Sequence, residues 1–239
     1  MKKYLFLFDI DGTILKLRRF RSRTIFKDLF RDIFGVVVDD AMMPDFAGNT
    51  DLRILRAISE ANSIPFDAIL NDIDNIWKKI LREFEPYCNS ENLELLPGSD
   101  RLIARLSQRE DVELALLTGN FRENAYLKLN AFGLGSFFPF GAFGSDHEDR
   151  NKLPAIALQR ANSFFSGADF RFDSTNAIII GDSPRDIECA KTNSMAVAAV
   201  ATGGFDPALL KDNKADLVFE NFTDCDHVID SIFNLLGNR

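Results

Sequence analysis

Histidine and cysteine are scarce in this chain: two and three residues respectively among 239. His147 and His227 are too few for a multi-histidine metal site. Cys88, Cys189 and Cys225 are odd in number, far apart and without a CxxC pair. That excludes a disulfide framework and a cysteine zinc site, and fits a reducing compartment. Long apolar runs are missing too. The first, Tyr4 to Phe8, is too short for a signal peptide and stops at Asp9, and no later stretch is long enough to span a membrane. The expectation is a cytoplasmic protein with no membrane partner. Positive charge is in deficit, 28 Lys and Arg against 36 Asp and Glu, for a net charge of −8. Such a surface repels polyanions and disfavours nucleic acid as a partner. What is present is an ordinary globular balance, 46% hydrophobic and 27% charged. A chain of this length buries roughly 70% of the surface its unfolded form exposes.

Tyr4-Leu5-Phe6-Leu7-Phe8 reads as a fully buried strand, because it is continuously apolar and ends in Asp-x-Asp-Gly. Similar runs lie at residues 112–117, more weakly at 137–143, and at 177–180, 196–201 and 216–219. Helical patterns alternate with them at 99–108, 122–132, 153–164, 184–192 and 207–211, and an amphipathic helix closes the chain at 224–236. Alternation of buried strands with helices predicts an α/β fold, a parallel sheet covered on both faces. Residues 16–96 break the pattern. They hold helical patterns at 24–34, 51–62 and 66–87 and no convincing buried strand. The expectation is an all-helical second domain inserted after the first strand, with hinges near 14–18 and 94–97, and with Trp77 packed inside it.

Three constellations sit where strands end, the edge at which open α/β sheets bind ligands. The first is Asp9-Ile10-Asp11-Gly12-Thr13. Asp9 and Asp11, two apart in extended chain, can face the same crevice, although Asp and Gly after a strand are also ordinary turn chemistry. The second is Leu117-Thr118-Gly119-Asn120, a hydroxyl, a flexible backbone N–H and an amide suited to phosphate oxygens. The alternative is a helix start with Asn120 as N-cap and Glu123 as its capping-box partner. The third is Gly181-Asp182-Ser183-Pro184-Arg185-Asp186. Asp186 fits a capped helix start by itself. Asp182 joins Asp9 and Asp11 as a third strand-end carboxylate. Such a cluster needs a cation, and oxygen-only ligands point to Mg²⁺.

In this order, DxDGT, TGN and GDSPxD resemble the haloacid dehalogenase superfamily of phosphatases. The resemblance implies a Rossmann-like core at 1–15 and 97–239 and a helical cap domain at 16–96. The tail Val200-Ala201-Thr202-Gly203-Gly204 is similar to the phosphoglycolate-phosphatase-like branch. By resemblance Asp9 is the nucleophile, forming an aspartyl-phosphate, and Asp11 is the acid/base. Mg²⁺ is held by Asp9, the Asp11 carbonyl and Asp182, with Asp186 orienting the metal shell or the cation. Thr118, Gly119 and Asn120 bind phosphate oxygens. The family also places a Lys or Arg before the helix that precedes GDxxxD, usually in a Lys-Pro-x-Pro stretch that this chain lacks. Arg150 and Lys152 are the candidates. Counting six to eight residues on from Arg150 gives apolar Ile156, Ala157 and Leu158, whereas Lys152 reaches polar Gln159 and Arg160, which favours Arg150. In the inserted segment, Phe46 to Asp51 resembles a cap loop that faces the active site, with Asn49 and Thr50 as substrate contacts. Thr50 or Asp51 acting as a helix N-cap is the competing reading.

The implied function is Mg²⁺-dependent hydrolysis of a small-molecule phosphate ester. A phosphoglucomutase-like phosphotransferase shares every motif. A phospho-acceptor signalling domain would be about half as long, and an inactive phosphate-binding protein would not need all the carboxylates. One further feature stands out. Residues 16–23, Lys16-Leu17-Arg18-Arg19-Phe20-Arg21-Ser22-Arg23, form the densest basic run. It reads either as a solvated linker or, with Arg18 and Arg19 near the catalytic mouth, as a lure for anionic substrates.

Overall fold

The computed structural model describes residues 2–18 and 22–238. Arg19 and Arg21 of the basic run lie outside them. The chain starts with β1 (Tyr4–Phe8) and β2 (Leu15–Leu17), then four helices: α1 (Ser22–Phe34), α2 (Asp51–Ala61), α3 (Phe66–Asn71) and α4 (Ile73–Phe84). It returns through β3 (Leu93–Leu95), α5 (Ser99–Ser107), β4 (Val112–Leu117), α6 (Arg122–Asn130) and β5 (Gly141–Ala142). The last third is α7 (Leu153–Phe164), β6 (Ala177–Gly181), α8 (Pro184–Thr192), β7 (Ala196–Val200), α9 (Pro207–Asp212), β8 (Leu217–Phe219) and α10 (Cys225–Gly237).

Six strands form one sheet in the order β5-β4-β1-β6-β7-β8, every pair parallel. This is the Rossmann-like α/β arrangement expected from the alternation. The continuous apolar runs follow from burial on both faces, since successive side chains leave a strand on opposite sides. Phe6, Phe8, Leu114, Leu116, Ile178 and Ile180 join the core beneath α5, α6 and α10. Leu5, Leu7, Ala115, Leu117 and Ile179 join the core beneath α7 and α8.

Helices α1 to α4 enclose a third cluster, which includes Phe26, Phe30, Ile54, Ile58, Ile76, Ile80 and Phe84. Three details differ from the sequence expectation. The helical pattern at 66–87 is broken at Asp72, which closes α3 and opens α4 with φ −113° and ψ 16°. A short polar side chain that competes for backbone hydrogen bonds suits such a break. Next, β2 and β3 pair antiparallel, Leu15 with Leu95 and Leu17 with Leu93, so the two chain crossings between sheet and helices form a ribbon. Three-residue strands leave too short a pattern to read from sequence. Lastly, Trp77 packs against the helical cluster, as expected, but from its edge. It is half-buried and stacks on Phe121, from the β4–α6 connection, with ring centroids 4.9 Å apart and planes 13° off parallel. No helix among the described residues is long and apolar enough to cross a membrane.

Candidate active site

Four connections leave the carboxyl edge of the sheet together: Asp9 follows β1, Thr118 follows β4, Asp182 follows β6 and Thr202 lies two residues beyond β7. Ligand atoms of Asp9, Asp182 and Asp186 lie within 4.8 Å of one another, and all three residues are buried. Gly12, at φ +86°, makes the approach possible, because a Cβ there would collide with the Asp182 carboxylate. Thr202 Oγ1 donates to the Gly12 carbonyl at 2.6 Å, and Thr13 Oγ1 donates to Asp182 Oδ1 at 3.3 Å. Burial pushes Asp9 up to about 7, against the pull of Arg150 and with Asp186 and Asp11 adding to the push. Burial, then Asp186 and Asp9, likewise raises Asp182 well above the usual carboxylate range. Carboxylates so crowded and dry repel one another, and an oxygen-only donor set of this kind suits a hard divalent cation. Asp186 also serves the fold, as its sequence position suggested. It accepts from Ser183 N at 3.1 Å and from Ser183 Oγ at 2.6 Å, completing a capping box on α8.

The two cation candidates separate. Arg150 and Lys152 occupy one 3₁₀ turn before α7, where successive side chains point roughly 120° apart, so the two cannot face the same way. Arg150 is 7% exposed, pairs with Asp186, and has Nη2 3.4 Å from Asp9 Oδ1. Burial works against its charge, but Asp186 and Asp9 raise its pKa above the ordinary guanidinium value. Its Nε is buried without a hydrogen-bond partner among the described residues. Lys152 is exposed and does not border the cavity, so the structure removes it from the site.

The Thr118-Gly119-Asn120 loop differs from a self-capped helix start. Thr118 Oγ1 accepts from Asn120 N at 3.3 Å and Asn120 Nδ2 at 2.9 Å. The N-cap of α6 is Phe121 rather than Asn120, and its side chain makes no cap bond. Asp51 supplies one from the helical segment: its Oδ2 accepts from Phe121 N at 2.8 Å, and its own N–H donates to the Gly119 carbonyl at 2.8 Å. Gly119 has to be glycine, because a Cβ would collide with the Asn49 carbonyl. Asn120 is freed to reach Asp11 Oδ2 at 2.7 Å.

Sequence reasoning missed Lys128. It lies on α6, 3% exposed, and its Nζ donates to Asp11 Oδ1 at 2.9 Å, Asp11 Oδ2 at 2.7 Å and Asn120 Oδ1 at 2.7 Å. A signal was available: Asn124 and Lys128, four apart, share one face of α6, and Asn120 stands four residues earlier, just before its N-cap. Asp51 was read as part of a site-facing loop or as a cap of its own helix; it borders the cavity, the cap falls to Thr50, and its bond to Phe121 N was not foreseen.

A cavity of about 560 Å³ opens above the carboxylates. Its floor includes Asp9, Asp11, Thr118, Asn120, Arg150 and Asp182, and the helical segment contributes Arg23, Phe26, Phe46, Asn49, Asp51 and Phe84. Asn49 borders it as expected, with Nδ2 donating to the Asp45 carbonyl at 2.7 Å. Thr50 does not border it. Its Oγ1 accepts from Arg53 N at 3.1 Å, capping α2, and donates to the Glu148 carbonyl at 2.7 Å. Thr50 is thus the helix N-cap that the competing reading of the sequence expected. Arg18 is exposed, 3.9 Å from Glu94, and off the cavity wall, whereas Lys16 and Arg23 line it.

Buried strand-end carboxylates, a fixed guanidinium and a hydroxyl–amide loop thus meet at the carboxyl edge of a parallel sheet in an α/β fold. The family model described as haloacid dehalogenase-like hydrolase matches residues 6–200, and the chain belongs to that family. A protein of Caldanaerobacter subterraneus subsp. tengcongensis named as a pyrophosphatase, PpaX, is 23% identical over 221 residues, 92% of each chain. The phosphoglycolate phosphatase of Pasteurella multocida is 24% identical over 217 residues, 90% of this chain and 93% of its own. Among solved structures, β-phosphoglucomutase from Clostridium difficile superposes with a TM-score of 0.72 at 17% identity over the whole of both chains. That likeness is one of fold.

Proposed function

We propose that the protein is a Mg²⁺-dependent phosphatase that hydrolyses a small-molecule phosphate monoester through an aspartyl-phosphate on Asp9, with helices α1 to α4 as its cap. The observation that carries the reading is Asp9 itself: buried, 3.4 Å from Arg150 Nη2, and grouped with Asp182 and Asp186. Asp9, Asp182 and the Asp11 carbonyl would hold the metal, with Asp186 orienting its shell and Arg150. When bound, the cation offsets the charge of the carboxylates and of the phosphoryl oxygens. Arg150 adds a second fixed positive charge, and Thr118, Gly119 and Asn120 orient the phosphate. Asp9 attacks phosphorus, the P–O bond to the leaving group breaks, and the departing oxygen takes the proton of the Asp11 carboxyl. In the second step Asp11, now a carboxylate, takes a proton from the water that attacks the aspartyl-phosphate, which releases phosphate and restores Asp9.

The names of the relatives leave the substrate open between two esters, phosphoglycolate and a sugar phosphate, and one anhydride, pyrophosphate. The test is inorganic phosphate release from a panel holding all three, with Mg²⁺ and with excess chelator. We expect turnover only with the metal, and none in Asp9→Asn, which should keep its fold. Rates that chelator leaves untouched would overturn the metal assignment. Sugar phosphate isomerised without phosphate release would identify a mutase.

A further inference from the structure

Lys128 is a second buried cation at the site, with no part in the chemistry above. Its ammonium has three protons and the structure accounts for all of them: two on the Asp11 carboxylate and one on Asn120 Oδ1. A lysine so occupied has no donor left for a phosphate oxygen, a need that the proposed function gives to Arg150, beside Asp9 and Asp186. Asp11 has little else to hold it. Its side chain is 42% exposed, and its other side-chain partner is Asn120 Nδ2, from the residue that Lys128 also grips. A freely rotating Asp side chain on an open cavity wall would spend much of its time away from the leaving oxygen.

We infer that Lys128 is a positioning residue for Asp11: by bonding both carboxylate oxygens and Asn120 together, it fixes the point from which Asp11 exchanges a proton with the leaving group. The inference rests on the phosphatase reading, and deepens it by assigning a residue outside the three motifs. It makes the effect of losing Lys128 depend on the leaving group. An alkyl phosphate needs a well-placed proton donor, whereas p-nitrophenyl phosphate departs as a stable anion and does not.

The experiment compares Lys128→Met and Asp11→Asn with wild type on a simple alkyl phosphate and on p-nitrophenyl phosphate. Because Asp11 is partly solvated, Lys128→Met should fold, which circular dichroism checks; Lys128→Gln is the second variant. We expect kcat for the alkyl ester to fall by about a hundredfold in Lys128→Met, within the range of general acid–base contributions, with KM nearly unchanged. For p-nitrophenyl phosphate the loss should be about threefold or less, because no proton is needed there. Adding Lys128→Met to Asp11→Asn should cost little more than Asp11→Asn alone, since both changes remove one function. Equal losses on the two esters, a rise in KM for both, or full additivity would overturn the inference and make Lys128 a structural or phosphate-binding residue. If Asp11→Asn itself shows no leaving-group dependence, the acid/base reading fails, and the two failures are thereby told apart.

Discussion

At the scale of single residues, Arg150 shows how a choice that sequence could only bias becomes determined by geometry. Counting apolar positions along α7 favoured it over Lys152, and the turn that carries both faces only Arg150 inward. Replacing Arg150 with Ala leaves Asp9 and Asp186 without their cation beside an incoming phosphate. We expect kcat/KM to fall by about a hundredfold, near 3 kcal/mol, as when one preorganised donor is lost. Lys152→Ala should stay within about twofold, the scale of an exposed surface charge. Phosphate-release kinetics on the two variants measure the difference, and a dead Lys152→Ala would reverse the assignment. The strand-end acids were legible because their spacing and order identify them. Lys128 was passed over despite its spacing from Asn124, because a lysine inside a helix reads as solvated until the turn after β1 is known to bring Asp11 against it. Of the two readings that sequence left for Thr50, the structure bears out the N-cap: its hydroxyl accepts from Arg53 N and donates to the carbonyl of distant Glu148.

At the scale of elements, the β strands were readable because two-sided burial writes continuous apolar runs. The contacts between helices and sheet were not, since they join residues far apart in sequence: Asp51 with Phe121, Trp77 with Phe121, Arg56 with Glu148, and Arg150 Nη1 with the Gly48 carbonyl at 3.3 Å. Asp51 makes one of these contacts sensitive to pH. Burial pushes its carboxyl up to about 6, although Phe121 N–H and Lys128 pull it down. In the folded chain Asp51 therefore keeps a proton that the unfolded chain gives up near pH 4. More protons bound in the native state means that stability drops as pH rises from about 4 to about 6, then levels. A charge in the first turn of α2 recovers roughly 0.3–1 kcal/mol, less than the burial costs. Asp51→Asn keeps an acceptor for Phe121 N–H and removes the ionisation. Relative to wild type it should gain about 1–2 kcal/mol at pH 8, a figure reduced for partial exposure, and nothing at pH 4. Urea denaturation at the two pH values measures this. An equal difference at both would mean that Asp51 does not titrate in that window.

At the scale of the whole molecule, the charge of −8 opposes any phosphate ester on approach. Lys16 and Arg23, near the two ends of the basic run, both line the cavity. Neutralising Arg18, Arg19 and Arg21 together should lower kcat/KM several-fold at ~10 mM salt and little at ~1 M, where screening lengths shrink from about 30 Å to 3 Å, with kcat unchanged. Initial rates across a salt series decide it, and a loss that salt does not diminish would mean direct contact with substrate. The order of strands has another result, one that concerns how the molecule is made. β1 is the first strand synthesised, yet it lies in the middle of the sheet, with Tyr4 beside Val112 and Leu5 beside Ala177. The helices of residues 22–84 enclose a cluster that Phe121 alone joins as a buried residue from outside that segment, and they leave the ribosome before β4 does. The apolar pentapeptide Tyr4–Phe8 must wait, with one edge unpaired until β4 exists and the other until β6 exists. A nascent chain cut short before Ala177 thus carries its most apolar strand with a bare edge, so truncated products of this protein should be insoluble even though Asp9 and the whole helical segment are already complete.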